Sequence, residues 1–367
     1  MTQHNRVLTV RTGRDNGNRG FADSRDALKV SARIGGQVFV AFYAKGVFCP
    51  ARHGFVNRHT PRDVFCPKRE DVVAHTVFFV AYAELNGVHA VHHVELGHAQ
   101  PRHAIDLDGT LLNQESQLSE YTISTIKKVR KQGHLVLIAT GRPYRMAETF
   151  YQQLELDTPM INFNGSLVHI PNRRWEWEKN VLIDKSYLLE FLKSEDTFEA
   201  EFIAGEYKNK FFITQNHLDR VDPSLMGVEQ ITPDTLIKPE LITSDPHSIL
   251  MQTRATDKYA LAEEMRSYFN NELEINTWGG PLNVLETCAK GVTKASALIY
   301  LLDIFQLDAK DLIAFGDEHN DVEMLDLAGK AYGMKNCSDT LRPHADQMTE
   351  FANFEDGVAK ELEKLFL

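Results

Sequence analysis

Residues 104–112 read Ala-Ile-Asp-Leu-Asp-Gly-Thr-Leu-Leu. The apolar start reads as the end of a short strand. Two carboxylates, Asp106 and Asp108, follow at i and i+2, and in an extended chain such residues point to the same side. Gly109 then lets the chain turn sharply. A carboxylate nucleophile with a neighbouring acid/base needs this pattern. Asp106 would attack phosphorus, and Asp108 would protonate the leaving oxygen and then deprotonate the attacking water.

The chain downstream has a regular grammar. Ser119 is placed to cap a helix with Ile123, Ile126 and Val129 on one face, closed by Gly133. Residues 134–139 form an apolar run of the fully buried strand type. Helix is expected over 144–154 and strand over 160–163. Asn164-Gly165 then predicts a tight turn, with 166–170 returning. Near the C-terminus the expected order is helix 292–305, strand 312–315, helix 319–327, strand 331–334 and helix 357–366. Strands alternating with helices predict an α/β fold with a doubly wound parallel sheet. Residues 183–281 differ: strands near 198–204, 210–215, 249–254 and 273–278 are interrupted by helices near 185–193 and 257–270. This predicts an inserted α+β cap domain in a core built from 104–182 and 282–367. An insert at the C-terminal edge of a parallel sheet lies over the active site.

A carboxylate that attacks a phosphate faces repulsion of about 4 kcal/mol for unit charges 4 Å apart at an effective dielectric of 20. A cation must offset it, and Mg²⁺ suits one or two carboxylates plus substrate oxygens. A second acidic run follows strand 312–315, namely Gly316-Asp317-Glu318-His319-Asn320-Asp321. Asp317 is the natural further metal ligand, Asn320 a donor to phosphate, and Asp321 a support for the metal site or a helix cap. Thr140-Gly141-Arg142-Pro143 ends the strand over 134–139 and offers a hydroxyl and a backbone N–H to a phosphate oxygen. Lys294, early in the helix over 292–305, brings an ammonium. Arg142 and Arg145 read equally as substrate contacts or helix surface, Lys290 and Glu318 as solvated or spacer residues, and Cys288 as a small buried residue.

DLDGT, TGR, GVTK and GDEHND occur in this order, and together they resemble the four motifs of the haloacid dehalogenase-like (HAD) phosphatases. The insert, FNGSLVH before it, and AYGMKN and the last helix after it resemble the Cof-type subfamily with a C2 cap. The resemblance covers residues 104–367. It implies Asp106 as nucleophile and Mg²⁺ ligand, and Asp108 as acid/base and metal ligand through its backbone carbonyl. It implies Asp317 on Mg²⁺, and Leu107, Thr140, Gly141, Lys294 and Asn320 on phosphate. The family leads into its first motif with several apolar residues. Here Pro101-Arg102-His103 stand there, which predicts a clipped first strand.

Residues 1–103 have another composition. They carry 14 Lys+Arg against 8 Asp+Glu, while the remainder carries 26 against 43. They hold 9 of the 15 histidines, and 15 valines beside 4 leucines. Apolar runs at 37–44 and 75–83 suit strands, and His89, His92, His93 and His98 suit a metal, but there is little periodicity. An atypical basic extension, unfolded or misassigned, is the expectation. Four scattered cysteines (Cys49, Cys66, Cys288, Cys337) form no CxxC pair and no disulfide scaffold. No apolar run nears the roughly 20 residues of a membrane helix, and the start does not read as a signal peptide.

The expected protein is thus a cytoplasmic, Mg²⁺-dependent phosphatase acting on a small phosphorylated metabolite through an aspartyl-phosphate. The metabolite would be a sugar phosphate or a nucleotide or cofactor phosphate. No membrane or nucleic-acid partner is expected, and the oligomeric state is open. The rival readings are a phosphomutase or phosphotransferase using the same intermediate, and a non-catalytic metabolite sensor.

Overall fold

The computed structural model describes residues 102–215 and 218–367. Upstream, strand backbone is described at Thr9–Arg14, Leu28–Ile34, Gln37–Ala44, Val47–Phe48, Val77–Leu85 and Val88–Leu96. The runs expected as strands at 37–44 and 75–83 fall on two of these. The side chains of 1–101, including the histidine group at 89–98, lie outside the described residues.

From residue 102 the first elements are β1 (Arg102–Ile105), α1 (Glu120–Lys131), β2 (Leu135–Ile138), α2 (Tyr144–Gln153), β3 (Met160–Asn162), β4 (Leu167–His169) and β5 (Lys179–Asn180). The insert follows: α3 (Lys185–Lys193), β6 (Ala200–Glu206), β7 (Phe211–Ile213), β8 (Ser248–Thr253), α4 (Lys258–Tyr268), β9 (Leu273–Thr277) and β10 (Val284–Ala289). The chain returns through α5 (Lys294–Ile304), β11 (Leu312–Gly316), α6 (Val322–Leu327), β12 (Lys330–Gly333), β13 (Gln347–Met348) and α7 (Gly357–Phe366).

The core sheet has the order β13-β12-β11-β1-β2, and every pairing is parallel. All five residues of β11 are buried, as expected for a strand covered on both faces. Ser119 caps α1 by accepting from the Thr122 amide, and α1 turns Ile126 and Val129 into the core. Helix α1 packs on α7 and α5 on α6, and one apolar cluster joins these helices to the sheet. The architecture is therefore the doubly wound α/β core with an inserted α+β cap.

The cap sheet is antiparallel, in the order β7-β6-β8-β10-β9. Side chains alternate across it with period two. Ile203, Ile249, Met251, Ile275 and Leu285 face α3 and α4. Phe202, Ala204 and Leu250 face the other way and pack with Phe211 and Met226. Strand β10 corrects the boundary read from sequence: it lies beyond residue 281, yet it pairs with β8 and β9 inside the cap sheet. Its run Val-Leu-Glu-Thr-Cys-Ala lacks the strict alternation that marks a strand in sequence.

Strand β1 is not short of partners. It pairs through all four residues with both β2 and β11. Its polar lead is nevertheless buried. Arg102 is 4% exposed, and its Nε and Nη1 have no hydrogen-bond partner; Asp311 lies 3.9 Å away. Burial lowers that guanidinium, partly offset by Asp311. The fully buried His103 places Nε2 3.1 Å from Nδ1 of His134, has no partner for its own Nδ1, and meets Phe366 edge-on.

Unsatisfied buried polar groups cost about 1–3 kcal/mol each. Arg102→Met with His103→Ile is therefore expected to raise the urea midpoint, and a lowered midpoint would contradict this account of β1. Burial holds His103 down at about 3, and holds His169 and His247 at about 4. Unfolded histidine titrates near 6.5. Below that value the unfolded chain binds more protons, so stability is expected to fall by about 1.4 kcal/mol per pH unit for each of these groups from pH 6.5 toward 4. Melts at stepped pH check this, and His103→Ile should flatten the slope.

Candidate active site

Three adjacent strands, β11, β1 and β2, end side by side, and the conspicuous polar residues follow directly. Asp106 continues β1 and donates its amide to the Phe315 carbonyl (3.2 Å). Lys294 opens α5 behind Thr293, which caps the helix by accepting from the Ser296 amide. The enclosed Lys294 ammonium donates to Asp106 Oδ1 and Asp321 Oδ1, both at 2.7 Å. The second oxygen of Asp321 accepts from the amides of Asp317 (3.1 Å) and Glu318 (3.3 Å). Asp317 Oδ1 accepts from the Thr110 hydroxyl (3.0 Å). One carboxylate oxygen from each of Asp106, Asp317 and Asp321 lies within 4.8 Å of the others.

Three carboxylates around one ammonium leave excess negative charge. Burial, with Asp321 and Asp108 nearby and despite Lys294, pushes the Asp106 carboxyl up to about 7. Burial, then Asp106 and Asp321, pushes Asp317 up to about 8. Burial alone would lower the Lys294 ammonium, but Asp106 and Asp321 raise it overall. A crowded set of hard oxygen donors short of positive charge fits a divalent cation.

Gly109 is required where the chain turns. Its φ is +71°, and a Cβ there would stand 2.1 Å from Asp317 Oδ2. Asp106 and Asp108 are themselves in extended geometry, within a segment otherwise wound into a helical turn from Leu107. The half-exposed Asp108 carboxylate pairs with Arg142 through Nε (2.7 Å) and Nη2. Leu107 is fully buried, and its carbonyl accepts from the Leu112 amide.

Beyond β2, the buried Thr140 hydroxyl accepts from the Arg142 amide (3.1 Å). Asn164, in the left-handed region at φ 53°, draws this loop to the others. Its amide donates to the Thr140 carbonyl, and its Oδ1 accepts from Asn320 Nδ2 (3.0 Å). Its Nδ2 donates to Glu286 Oε2 on β10 (3.0 Å). A Cβ at Gly141 would lie 3.1 Å from Asn164. Glu286 is pushed up to about 7, chiefly by burial.

The structure thus brings together Asp106, Asp317, Asp321 and Lys294, and it gathers Thr140, Gly141 and Asn320 around Asn164. Asp321 caps the turn as a support or cap residue would, accepting from the Asp317 and Glu318 amides, and it also pairs with Lys294. Sequence reasoning passed over Asn164, Glu206 and Glu286. Asn164-Gly165 signals only a turn, and nothing local marks the two glutamates. Arg145 bonds Glu206 of the cap. Cys288 is buried beside the Phe163 carbonyl, and burial pushes its thiol up, as suits a small core residue. Lys290 is exposed and pairs with Glu274.

A family profile described as haloacid dehalogenase-like hydrolase matches residues 103–362. The chain is 32% identical over 263 residues to 5-amino-6-(5-phospho-D-ribitylamino)uracil phosphatase YitU of Bacillus subtilis, covering 72% of this chain and 96% of that protein. It is 29% identical over 259 residues to a second B. subtilis phosphatase of that name, YcsE, covering 70% and 92%. Among solved structures, a haloacid dehalogenase-like hydrolase from Bacteroides thetaiotaomicron superposes with TM-score 0.62 at 22% identity, covering 73% of this chain and all of that one. A HAD subclass IIB sugar phosphatase superposes with TM-score 0.61 at 19% identity, covering 72% and 99%.

Removing one partner from a buried ion pair costs about 3–5 kcal/mol. Lys294→Met is therefore expected to lower the urea midpoint sharply in metal-free buffer, with Mg²⁺ restoring part of the loss. An unchanged midpoint would show that Lys294 does not balance these carboxylates.

Proposed function

The chain belongs to the haloacid dehalogenase-like hydrolases and is a phosphatase of that superfamily, and from this premise we propose that it hydrolyses a small phosphorylated metabolite by way of an aspartyl-phosphate on Asp106. The supporting observation is the Asp106 carboxylate held on the Lys294 ammonium, beside Asp317, at the C-terminal edge of the parallel sheet.

In this mechanism an Asp106 oxygen forms a bond to phosphorus, and the bond from phosphorus to the leaving oxygen breaks. Asp108, taking up a proton as substrate frees it from Arg142, gives that proton to the leaving oxygen, then takes one from water as the water oxygen bonds to phosphorus and the acyl phosphate breaks. Arg142 holds the Asp108 carboxylate aside until substrate arrives. Lys294 lies against Asp106 and spreads the charge that builds on the phosphoryl oxygens. The Leu107 backbone, Thr140, Gly141 and Asn320 take the remaining phosphoryl oxygens, and Asn164 keeps the last three in register. The residues that would hold Mg²⁺ are Asp106, Asp317 and the Asp108 carbonyl, with Asp321 orienting the Asp317 amide. The ion supplies positive charge against the carboxylate–phosphate repulsion and favours the ionised form of Asp106.

The cap closes over the leaving group, excludes water and selects it. The named activity of the two B. subtilis relatives makes a phosphorylated ribityl side chain on a pyrimidine the first substrate to try, ahead of sugar phosphates, flavin mononucleotide and pyridoxal phosphate. The buried free thiols of Cys288 and Cys337 suit a reducing, cytoplasmic setting.

The test is phosphate release from that panel with Mg²⁺, with chelator, and by Asp106→Asn. Release should need metal and should fall on the order of 10⁴-fold or more in the variant. A folded, Mg²⁺-supplied protein that releases no phosphate from any of them, or that moves phosphate only to an added sugar acceptor, would sink the hydrolytic reading.

A further inference from the structure

Arg145 stands on α2, three residues past Arg142, and takes no part in the chemistry above. Its guanidinium crosses from core to cap. Nη1 donates to Glu206 Oε2 at 2.7 Å and Nη2 to Glu206 Oε1 at 2.8 Å. Nε and Nη2 also donate to the Met226 carbonyl at 3.2 and 3.0 Å. The guanidinium carbon lies 5.0 Å from the centre of the Phe211 ring. One core side chain therefore engages three cap segments: the end of β6, the start of β7 and the turn Pro223–Met226.

The contact is close and largely buried. The Glu206 side chain is 1% exposed and that of Arg145 is 18% exposed. Beside it Met146 packs on Gly227, whose φ is +68°, and a Cβ there would stand 2.4 Å from Met146 Cγ. A planar fork matched to a carboxylate fixes direction as well as distance. If the cap opens by swinging off α2, this pair must part, leaving a buried carboxylate without its cation.

We propose that Arg145 is a positioning residue, forming with Glu206 a latch that seats the cap on α2 and sets how the cap meets the phosphate cradle. The kinetic part of this inference rests on the phosphatase reading; the latch itself does not. Arg142 and Arg145 thereby divide the work, the first holding Asp108 and the second holding the cap.

The experiment uses full-length Arg145→Ala, Arg145→Lys, Glu206→Gln and the Arg145→Ala/Glu206→Gln double variant. Amide hydrogen exchange is followed without substrate over residues 221–228 and over the core strands. A latch predicts faster exchange at 221–228 in every variant, with β1 and β11 unchanged. It also predicts that the double variant is no worse than Arg145→Ala, because residues acting as a unit are not additive and Glu206→Gln removes the unpaired buried charge. In turnover, KM should rise roughly tenfold, the equivalent of about 1.4 kcal/mol, with kcat and its pH profile little changed. Arg145→Lys should lie between parent and Arg145→Ala, and it also serves should Arg145→Ala fail to fold. Folded variants with unchanged exchange at 221–228, or with additive effects, would overturn the latch. Absence of turnover in the parent would count against the phosphatase reading alone, since exchange still decides the latch.

Discussion

The Lys294 ammonium lies 2.7 Å from both Asp106 and Asp321, enclosed where three parallel strands end. Without it, three carboxylates could not share so small a space. Two strand ends and one helix start supply the parts. Strand β1 delivers Asp106, β11 delivers Asp317 and the turn carrying Asp321, and α5 starts at the lysine. The parallel sheet sets their spacing, because neighbouring strands stand about 4.8 Å apart. The lysine balances only part of the charge, which leaves Asp106 and Asp317 pushed up and suited to a further cation. The arrangement is costly for stability and useful for chemistry, as active sites commonly are.

The cap depends on this core without sharing its apolar cluster. Its sheet buries one face under α3 and α4 and turns the other toward Phe211, Met226 and Trp278. Polar contacts then tie it to the core at a few points. Arg145 meets Glu206, Asn164 meets Glu286, and the Ser166 hydroxyl donates to the His247 carbonyl at 3.0 Å. A contact made of a few directional bonds can hold one closed arrangement and still release it. A continuous apolar interface of the same extent would resist opening.

Strand β1 carries Asp106 at its end, yet it begins with buried Arg102 and His103. It keeps its register because β2 and β11 pair with it on both sides and Ala104 and Ile105 are fully buried. The polar pair is tolerated at the end of the strand away from Asp106. The family match begins at residue 103, where the composition also changes.

Sequence alone determined the parallel α/β core, the insert and the four polar segments that the structure gathers at the strand ends. Those features are written locally, in periodicity, caps such as Ser119, and carboxylates placed just after strands. Helices α3 and α7 occupy the residues their patterns predict, whereas β10 escaped because a buried antiparallel strand need not alternate. Tertiary structure decided the partnerships. Asp108 pairs with Arg142, 34 residues along the chain, a partner that the i, i+2 rule does not foresee. Asp321 becomes a direct partner of Lys294, and Asn164 joins the second and fourth motif segments to the cap. Asp106 and Lys294 are 188 residues apart, and Arg145 and Glu206 are 61 apart. Charge balance and hydrogen bonding act through space, so no local pattern encodes which acid meets which base; that is set only when the strands lie side by side and the cap is seated.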